Sequence, residues 1–217
     1  MVSNHSGGMM TPDVLIFGPA FHKRFGYDRP LHTLAHYGVL MGPLSLVMNR
    51  LGVIEASPEN AAAALARGAV VLVFPGGDYD SYRPTTEANT IDFNGRTGYV
   101  RTAIEAGVPI VPAVSIGAQE TQLFLTRGHG LAKRLGLNRI RLHILPVSVG
   151  WPFGLSVFFP PNVPLPAKVV TEVLEPIGIT EQFGDDPDVD EVDAHVRAVM
   201  QEALDRLAEE RNLPILG

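Results

Sequence analysis

Residues 69–77 read Ala-Val-Val-Leu-Val-Phe-Pro-Gly-Gly, a continuous apolar run that ends in a tight-turn sequence. Such a run, without polar alternation, is typical of a strand that is buried on both faces of a parallel sheet. The preceding Ser57-Pro58-Glu59 has the features of a helix start, and Gly68 can end that helix. This stretch therefore predicts a helix followed by a buried parallel strand.

The same alternation continues on both sides of this unit. We expect helices over residues 11–24, 98–106 and 119–135, and strands over residues 108–116, 140–149 and 169–177. Strands that alternate with helices predict an α/β fold with a mostly parallel central sheet flanked by helices.

The C-terminal segment has the clearest helical pattern. Apolar residues recur at helical spacing, with charged residues on the other face, at Val189, Val192, Val196, Val199, Ala203 and Leu207. We predict an amphipathic helix over about residues 187–211. A length of 217 residues fits one domain, so we treat residues 1–217 as a single unit.

The composition excludes several classes of function. The chain has no cysteine, which rules out disulfides, Cys-based zinc sites and a Cys nucleophile, and which is compatible with a reducing cytoplasm. A formal net charge of −6 argues against a nucleic-acid partner. His32 and His36 have the spacing of a zinc pair, but no third ligand accompanies them, so we expect no metal site.

Residues 144–167 carry no formal charge and are numerous enough to span a bilayer. They include six prolines, however, and a spanning helix could not satisfy its backbone with so many. We expect a buried strand followed by an irregular apolar loop. Its aromatic residues suit ordinary core, a membrane interface or an acyl pocket: Trp151, Phe153, Phe158 and Phe159.

Sites in such sheets form where strands end and helices begin, which singles out residues 4–13 and 75–83. His5 lies in a glycine-rich turn before a helix, and histidine suits proton transfer near neutral pH. Asp13, at the start of that helix, could orient the imidazole. On these residues alone, a surface histidine beside a helix cap is the simpler interpretation.

At the second place, the N–H groups of Gly76 and Gly77 can approach a ligand closely. Arg83 could hold a phosphate or a carboxylate there. A tight turn with solvated charges is the alternative interpretation.

Three blocks in this order resemble the lysophospholipid/glycerolipid acyltransferase superfamily: Asn4-His5, Phe74-Pro75-Gly76-Gly77 and Val108-Pro109-Ile110-Val111-Pro112. The similarity extends from residue 2 to about residue 122 and, more weakly, to about Ile177. It implies an O-acyltransferase that moves a fatty acyl group from acyl-CoA or acyl carrier protein to a hydroxyl of a glycerolipid or other lipid alcohol. It also implies no further cofactor, and a cytoplasmic enzyme that is peripheral at the inner face of the membrane.

The resemblance makes His5 the general base, but two departures from the family's pattern matter. The family usually has Asp five residues after the His, where this chain has Met10, so we expect Asp13 to hold the imidazolium, with Asp80 as second choice. Pro-Gly-Gly followed by an acid at Asp80 resembles the neutral-glycerolipid branch, and Tyr79 replaces an Arg of the phospholipid branch.

The resemblance also suggests the remaining site residues. We expect substrate binding from Asn4, Gly76, Gly77, Asp80 and Arg83, and oxyanion stabilisation from N–H groups near Gly7-Gly8 or Gly76-Gly77. Two other functions stay open: a lipid esterase or thioesterase in which His5 activates water, and an inactive lipid-binding domain.

Only Val2 and Ser3 follow the initial Met before Asn4-His5, whereas the family places a full strand there. We therefore predict that the chain lacks the N-terminal part of its domain. The sheet would then be short by most of one strand, and His5 would lie on a poorly anchored end.

Overall fold

The computed structural model describes residues 1–8, 11–42, 44–140 and 142–211. In chain order its strands are β1 (Val2–Ser3), β2 (Leu31–Ala35), β3 (Val53–Glu55), β4 (Val70–Leu72), β5 (Pro112–Ile116), β6 (Leu123–Thr126), β7 (Val147–Gly150), β8 (Gly154–Val157) and β9 (Val170–Val173). Its α-helices are α1 (Pro12–Phe25), α2 (Leu44–Arg50), α3 (Pro58–Ala66), α4 (Gly77–Ser81), α5 (Gly98–Ala106), α6 (His129–Arg134), α7 (Ile179–Phe183) and α8 (Val189–Glu210).

Two three-stranded sheets are built mainly from parallel pairs of strands. Strands β3, β2 and β4 pair in parallel, and β1 pairs in parallel with β5, whose other edge takes β9 antiparallel. A parallel bridge between Val2 and Val73 joins the two sheets, with Ser3 N donating to Val73 O at 3.0 Å. The predicted α/β fold, a mostly parallel sheet with flanking helices, is confirmed.

Helices pack on both faces of β4. Successive side chains of a strand point in opposite directions, so apolar neighbours on the strand meet different helices. Leu72 packs with Phe17 and Phe21 of α1, whereas Val71 packs with Ala61 and Ala64 of α3. The largest core cluster lies between β1, β5 and the helices α5 and α8. The strand predicted from residues 69–74 is therefore sandwiched between helices.

The helix predicted over residues 119–135 is wrong. A short 3-10 helix, strand β6 and helix α6 replace it. Strand β6 pairs with β7. Its side chains alternate as in a strand with one solvent-facing side: Phe124 is buried, whereas Leu123 and Leu125 are exposed. Gly128 then turns with φ +67°, tight against the Leu145 carbonyl, in a place that no side chain could occupy.

The prediction for residues 144–167, a buried strand followed by an irregular loop, is right only in part: β7 is a strand and residues 158–167 belong to no helix or named strand, but β8 was not expected. Strands β7 and β8 form an antiparallel hairpin, and with β6 they make a third sheet. Strands β2 and β3 are additions that the sequence patterns did not indicate.

The start of the chain is anchored, so the expected poor anchoring of His5 is wrong. Val2 and Ser3 are buried between two neighbouring strands. Val2 N donates to Val111 O at 2.9 Å on one side, and Val73 N donates to Met1 O at 3.0 Å on the other. Although β1 has only two residues, it is held on both edges.

Helix α8 begins at the cap Asp188, whose Oδ1 accepts from Asp190 N and Glu191 N at 2.9 Å each. It buries one apolar face, which includes Val192, Val196 and Leu204. None of the helices within the described ranges has the length and apolar character needed to cross a membrane.

Candidate active site

The two places singled out in the sequence lie side by side. Strand β1 ends at Ser3 and β4 ends at Leu72, and because the strands are parallel their carboxyl ends share one edge. The link between them is direct, since His5 N donates to Asp80 Oδ2 at 2.7 Å. The edge of the sheet therefore carries a single cluster of polar groups.

His5 is paired with Asp13. Its Nδ1 lies 2.9 Å from Asp13 Oδ2, and its ring packs against Phe74 with centroids 4.4 Å apart. A carboxylate at Nδ1 fixes the tautomer with the proton on that nitrogen, which leaves Nε2 as an acceptor. The His5 side chain is 16% exposed, so a substrate hydroxyl can reach the ring while most of it is held by protein.

Asp13 is a buried acid with three donors around it, and its side chain is 3% exposed. Oδ2 also accepts from Ser6 N at 3.0 Å, and Oδ1 accepts from Val14 N at 2.8 Å. The residue lies in the first turn of α1, where the helix dipole favours negative charge. These contacts hold the carboxylate in one orientation.

The turn between His5 and α1 explains how an acid eight residues away reaches the ring. Gly7 and Gly8 have φ values of +94° and +70°, and Gly7 lies so close to Pro12 that a side chain would collide with it. Glycine alone adopts this path without strain. Met10, which stands where the family has Asp, lies outside the described residues.

Asn4, which was expected to bind substrate, is enclosed in the structure by its bonds to β5. Its Oδ1 accepts from Ser115 N and its Nδ2 donates to Ser115 O, both at 2.8 Å. The residue is buried, so its amide extends the pairing of β1 with β5 by one step beyond Ser3. Asn4 thereby fixes the place from which His5 projects.

Asp80 and Arg83 are also placed differently from expectation. Both are buried, and Arg83 Nη2 forms an ion pair with Asp80 Oδ1. Arg83 Nη1 further donates to Ala88 O at 3.2 Å. Burial, together with nearby Arg127, lowers the pKa of the Arg83 guanidinium to about 10, so it stays charged at neutral pH. A guanidinium enclosed in this way cannot reach a substrate phosphate.

Gly76 and Gly77 form the turn that carries Asp80 toward His5. A side chain at Gly76 would collide with Asp80, whose Cγ lies 2.7 Å from the place of a Cβ. Arg96, which the sequence analysis did not single out, donates from Nη1 to Gly76 O at 2.7 Å and from Nη2 to Asp78 Oδ1 at 3.0 Å. Its position just after Asn94-Gly95 gave no signal beyond that of a turn.

Most of the N–H groups proposed for an oxyanion are engaged. Gly8 N donates to Ser81 O and Gly77 N donates to Phe74 O, both at 3.0 Å, and Gly7 N lies 3.4 Å from Gln119 Oε1. Of the four glycines considered, Gly76 is therefore the best remaining source of a donor.

Gly76→Ala is expected to lower the free energy of unfolding by about 1–3 kcal/mol, because a methyl group there overpacks the site. Asp80 cannot retreat, since it holds both His5 N and Arg83. Urea unfolding measures the effect. Gly98→Ala is the matched control, because nothing lies within 4 Å of a Cβ at that position. Equal stability of the two variants would contradict the close packing around Gly76.

His32 and His36, which have the spacing of a zinc pair, make hydrogen bonds to backbone groups. His32 Nδ1 faces Gly52 O at 3.3 Å, and His36 accepts from Gly38 N at 3.2 Å as the cap of a 3-10 helix. Across the residues that the structure describes, no three His, Asp or Glu side chains group as metal ligands would.

Comparison with known proteins gives one family and several relatives. The family model described as Acyltransferase matches residues 1–116. An uncharacterized protein of Mycobacterium tuberculosis is 32% identical over 98% of this chain and 59% of its own length. One from Mycobacterium leprae is 30% identical over 98% of this chain and 57% of its own length.

A third relative has a more informative name. A Gallus gallus protein named DGAT1/2-independent enzyme synthesizing storage lipids is 29% identical over 67% of this chain and 43% of its own length. The chain thus spans less than two thirds of the length of each of these relatives. No solved structure matches it.

Proposed function

The chain belongs to the acyltransferase family, as its three sequence blocks indicated, and from this we propose that it moves a fatty acyl group from a thioester to a hydroxyl of a lipid alcohol. The observation that carries the proposal is the pair formed by His5 and Asp13 at the open edge of the sheet. It has the arrangement of a general base with an orienting carboxylate.

In the proposed reaction, His5 Nε2 takes the proton of the acceptor hydroxyl while that oxygen attacks the thioester carbonyl carbon. The tetrahedral intermediate then collapses, the carbon–sulfur bond breaks, and the leaving thiolate takes the proton from the imidazolium. Asp13 stabilises the imidazolium while it exists, because its carboxylate lies 2.9 Å from Nδ1. The products are an ester and a free thiol, and no acyl-enzyme is needed because a thiolate is already a good leaving group.

The acceptor proposed here is neutral, and the donor is acyl-CoA or acyl carrier protein. Arg83, which was the cation suggested for a phosphate, is enclosed in an ion pair with Asp80. Pro75-Gly76-Gly77 resembles the neutral-glycerolipid branch, and the name of the Gallus gallus relative refers to storage lipids. We further propose that this lipid alcohol lies at the inner face of the cytoplasmic membrane.

The experiment that tests this function is an assay of the purified chain with a panel of acyl-CoA donors, with and without lipid alcohols. The expected result is ester formation that depends on the acceptor. Release of free fatty acid at the same rate without an acceptor would instead indicate a thioesterase. Absence of turnover with every donor and acceptor would indicate a lipid-binding domain.

Asp13→Asn is expected to lower kcat by about 100-fold or more, because the same change beside the general-base histidine of a Ser-His-Asp triad costs about 10⁴-fold. The amide can donate toward Nδ1 and so favour the wrong tautomer, and it cannot balance the charge of the imidazolium. Steady-state kinetics measure the change, and KM is expected to move much less than kcat. Asp28→Asn, at an exposed residue just beyond α1, is the control. Unchanged kcat in Asp13→Asn would remove Asp13 from the mechanism.

A further inference from the structure

The sheet made of β6, β7 and β8 presents an apolar face to solvent. Leu123, Val149 and Leu155 lie opposite one another across its three strands, and all three are exposed, Leu155 by 68%. Val157 extends the same face, and Leu125 on β6 is also exposed. Phe124 and Ser148 on the other face are buried. A face of this kind marks a contact surface more often than an ordinary part of a monomer's exterior.

Large aromatic side chains lie at both ends of the hairpin that β7 and β8 form. Trp151 and Phe153, at the turn between β7 and β8, are 62% and 56% exposed, and Phe158 follows directly after β8. Aromatic residues at the rim of an apolar surface are typical of the boundary between lipid and water.

The segment that forms this sheet carries charged side chains of one sign. Residues 121–171 contain no Asp or Glu, although the whole chain has a net charge of −6. The Lys and Arg residues in that segment are Arg127, Lys133, Arg134, Arg139, Arg141 and Lys168. Arg127 is paired with Glu87, but Lys133, Arg134, Arg139 and Lys168 are exposed. The exposed cations of α6, Lys133 and Arg134, lie between exposed Leu131 and Leu135 in the sequence.

We propose that this surface, the outer face of β6–β8 together with the cations of α6, docks on an anionic lipid bilayer. Exposed aliphatic and aromatic groups, in a segment that carries Lys and Arg but no carboxylates of its own, match the chemistry of an interfacial lipid-binding surface. A second copy of the chain fits poorly, because a symmetric contact would bring like charges together. A nucleic acid fits poorly as well, because the aliphatic face offers it no hydrogen bonds.

The docking surface is connected to the candidate active site. Gly8, three residues after His5, lies against the ring of Phe124, which would be 3.2 Å from a Cβ at that glycine. Phe124 N donates to Thr85 Oγ1 at 2.9 Å. Docking through β6–β8 would thus hold the glycine turn of the site near lipid. The inference deepens the proposed function, on which it rests only for the nature of the acceptor.

Co-sedimentation with vesicles of phosphatidylcholine, with and without phosphatidylglycerol, tests the proposal. Wild-type chain is expected to bind the anionic vesicles, less so at high salt. Leu155→Glu is expected to weaken binding by at least about tenfold, because a charge enters the apolar contact. Val173→Glu is the matched control, since Val173 is exposed on β9 in another sheet.

The double variant Lys133→Ala/Arg134→Ala tests the role of the cations. Its binding to anionic vesicles is expected to fall by about tenfold or more, since each surface cation contributes about fivefold. Its binding to vesicles of phosphatidylcholine alone should not change. Arg67→Ala/Arg101→Ala removes two exposed cations outside the segment and should leave binding unchanged. Wild-type chain that binds neither kind of vesicle, or a Leu155→Glu change that only dissolves a dimer, would overturn the proposal.

Vesicle binding and catalysis can fail separately. His5→Ala is expected to bind anionic vesicles like wild type, whatever its activity. Leu155→Glu is expected to keep wild-type acyl transfer to a short-chain, water-soluble alcohol. Loss of binding in His5→Ala would contradict the docking surface, whereas inactivity of wild type with intact binding would contradict only the proposed reaction.

Discussion

His5→Ala is expected to lower acyl transfer by about 10²- to 10⁴-fold, the usual contribution of a positioned general base. Without the imidazole, the acceptor hydroxyl must lose its proton to water, because Asp13 is enclosed by other donors and is 2% exposed. The fold should survive, since the ring is a partly exposed neighbour of Phe74 and the backbone bond from residue 5 to Asp80 remains. The measurement is initial rate of ester formation at saturating donor and acceptor.

His195→Ala is the matched control, since His195 is an exposed residue of α8 whose ring contacts Phe183. Its activity should equal that of wild type. Thermal unfolding of both variants separates chemistry from folding. Full activity in folded His5→Ala would remove the proposed base and leave proximity alone as the source of any turnover.

The pair of His5 and Asp13 could be predicted because each residue stands at a local signal. His5 lies in a glycine-rich turn that follows a short strand. Asp13 lies in the first turn of a helix whose start is indicated by Thr11 and Pro12. Such signals act over a few residues, so sequence is enough to place them. The prediction that His5 is poorly anchored was wrong because β1 bonds to Val73 and Val111, which are distant in the sequence and could not be identified as its partners.

The roles of Asn4, Asp80 and Arg83 could not be predicted for the same reason. Asn4 owes its burial to Ser115, which is 111 residues away, and Arg83 O accepts from the side chain of Gln119. An acid and an arginine three residues apart look the same in sequence whether they are solvated or enclosed. Only long-range packing decides between a substrate-binding Arg83 and a structural one.

Strand β6 shows how pairing overrides local preference. Residues around Leu131 and Lys133 favour helix and do form α6, but Leu123 and Leu125 extend because β7 offers a partner. The sheet that results has a buried face, on which Phe124 lies, and an apolar face that is exposed. Hydropathy does not tell which side of a strand meets the core. The sequence therefore left the aromatic residues open between core and membrane interface, and the exposed aliphatic face became visible only in the structure.

Arg83→Met is expected to lower the free energy of unfolding by about 3–5 kcal/mol, because it leaves the Asp80 carboxylate buried without its partner. Asp80 is 0% exposed, so water cannot replace the guanidinium. Urea unfolding followed by circular dichroism measures the loss. A change below about 1 kcal/mol would contradict the view that the pair is closed to solvent.

Two double variants separate the stability of this pair from its effect on His5. Asp80→Asn/Arg83→Met removes both charges but keeps an oxygen that can accept from His5 N, so most of the lost stability and near-wild-type activity should return. Asp80→Leu/Arg83→Met should be comparably folded yet about tenfold less active, because the N–H that positions His5 has no acceptor. Equal activity of the two double variants would mean that Asp80 contributes to the stability of the fold and not to the position of His5. Different activity at similar stability would mean that the buried ion pair sets the position of the proposed base.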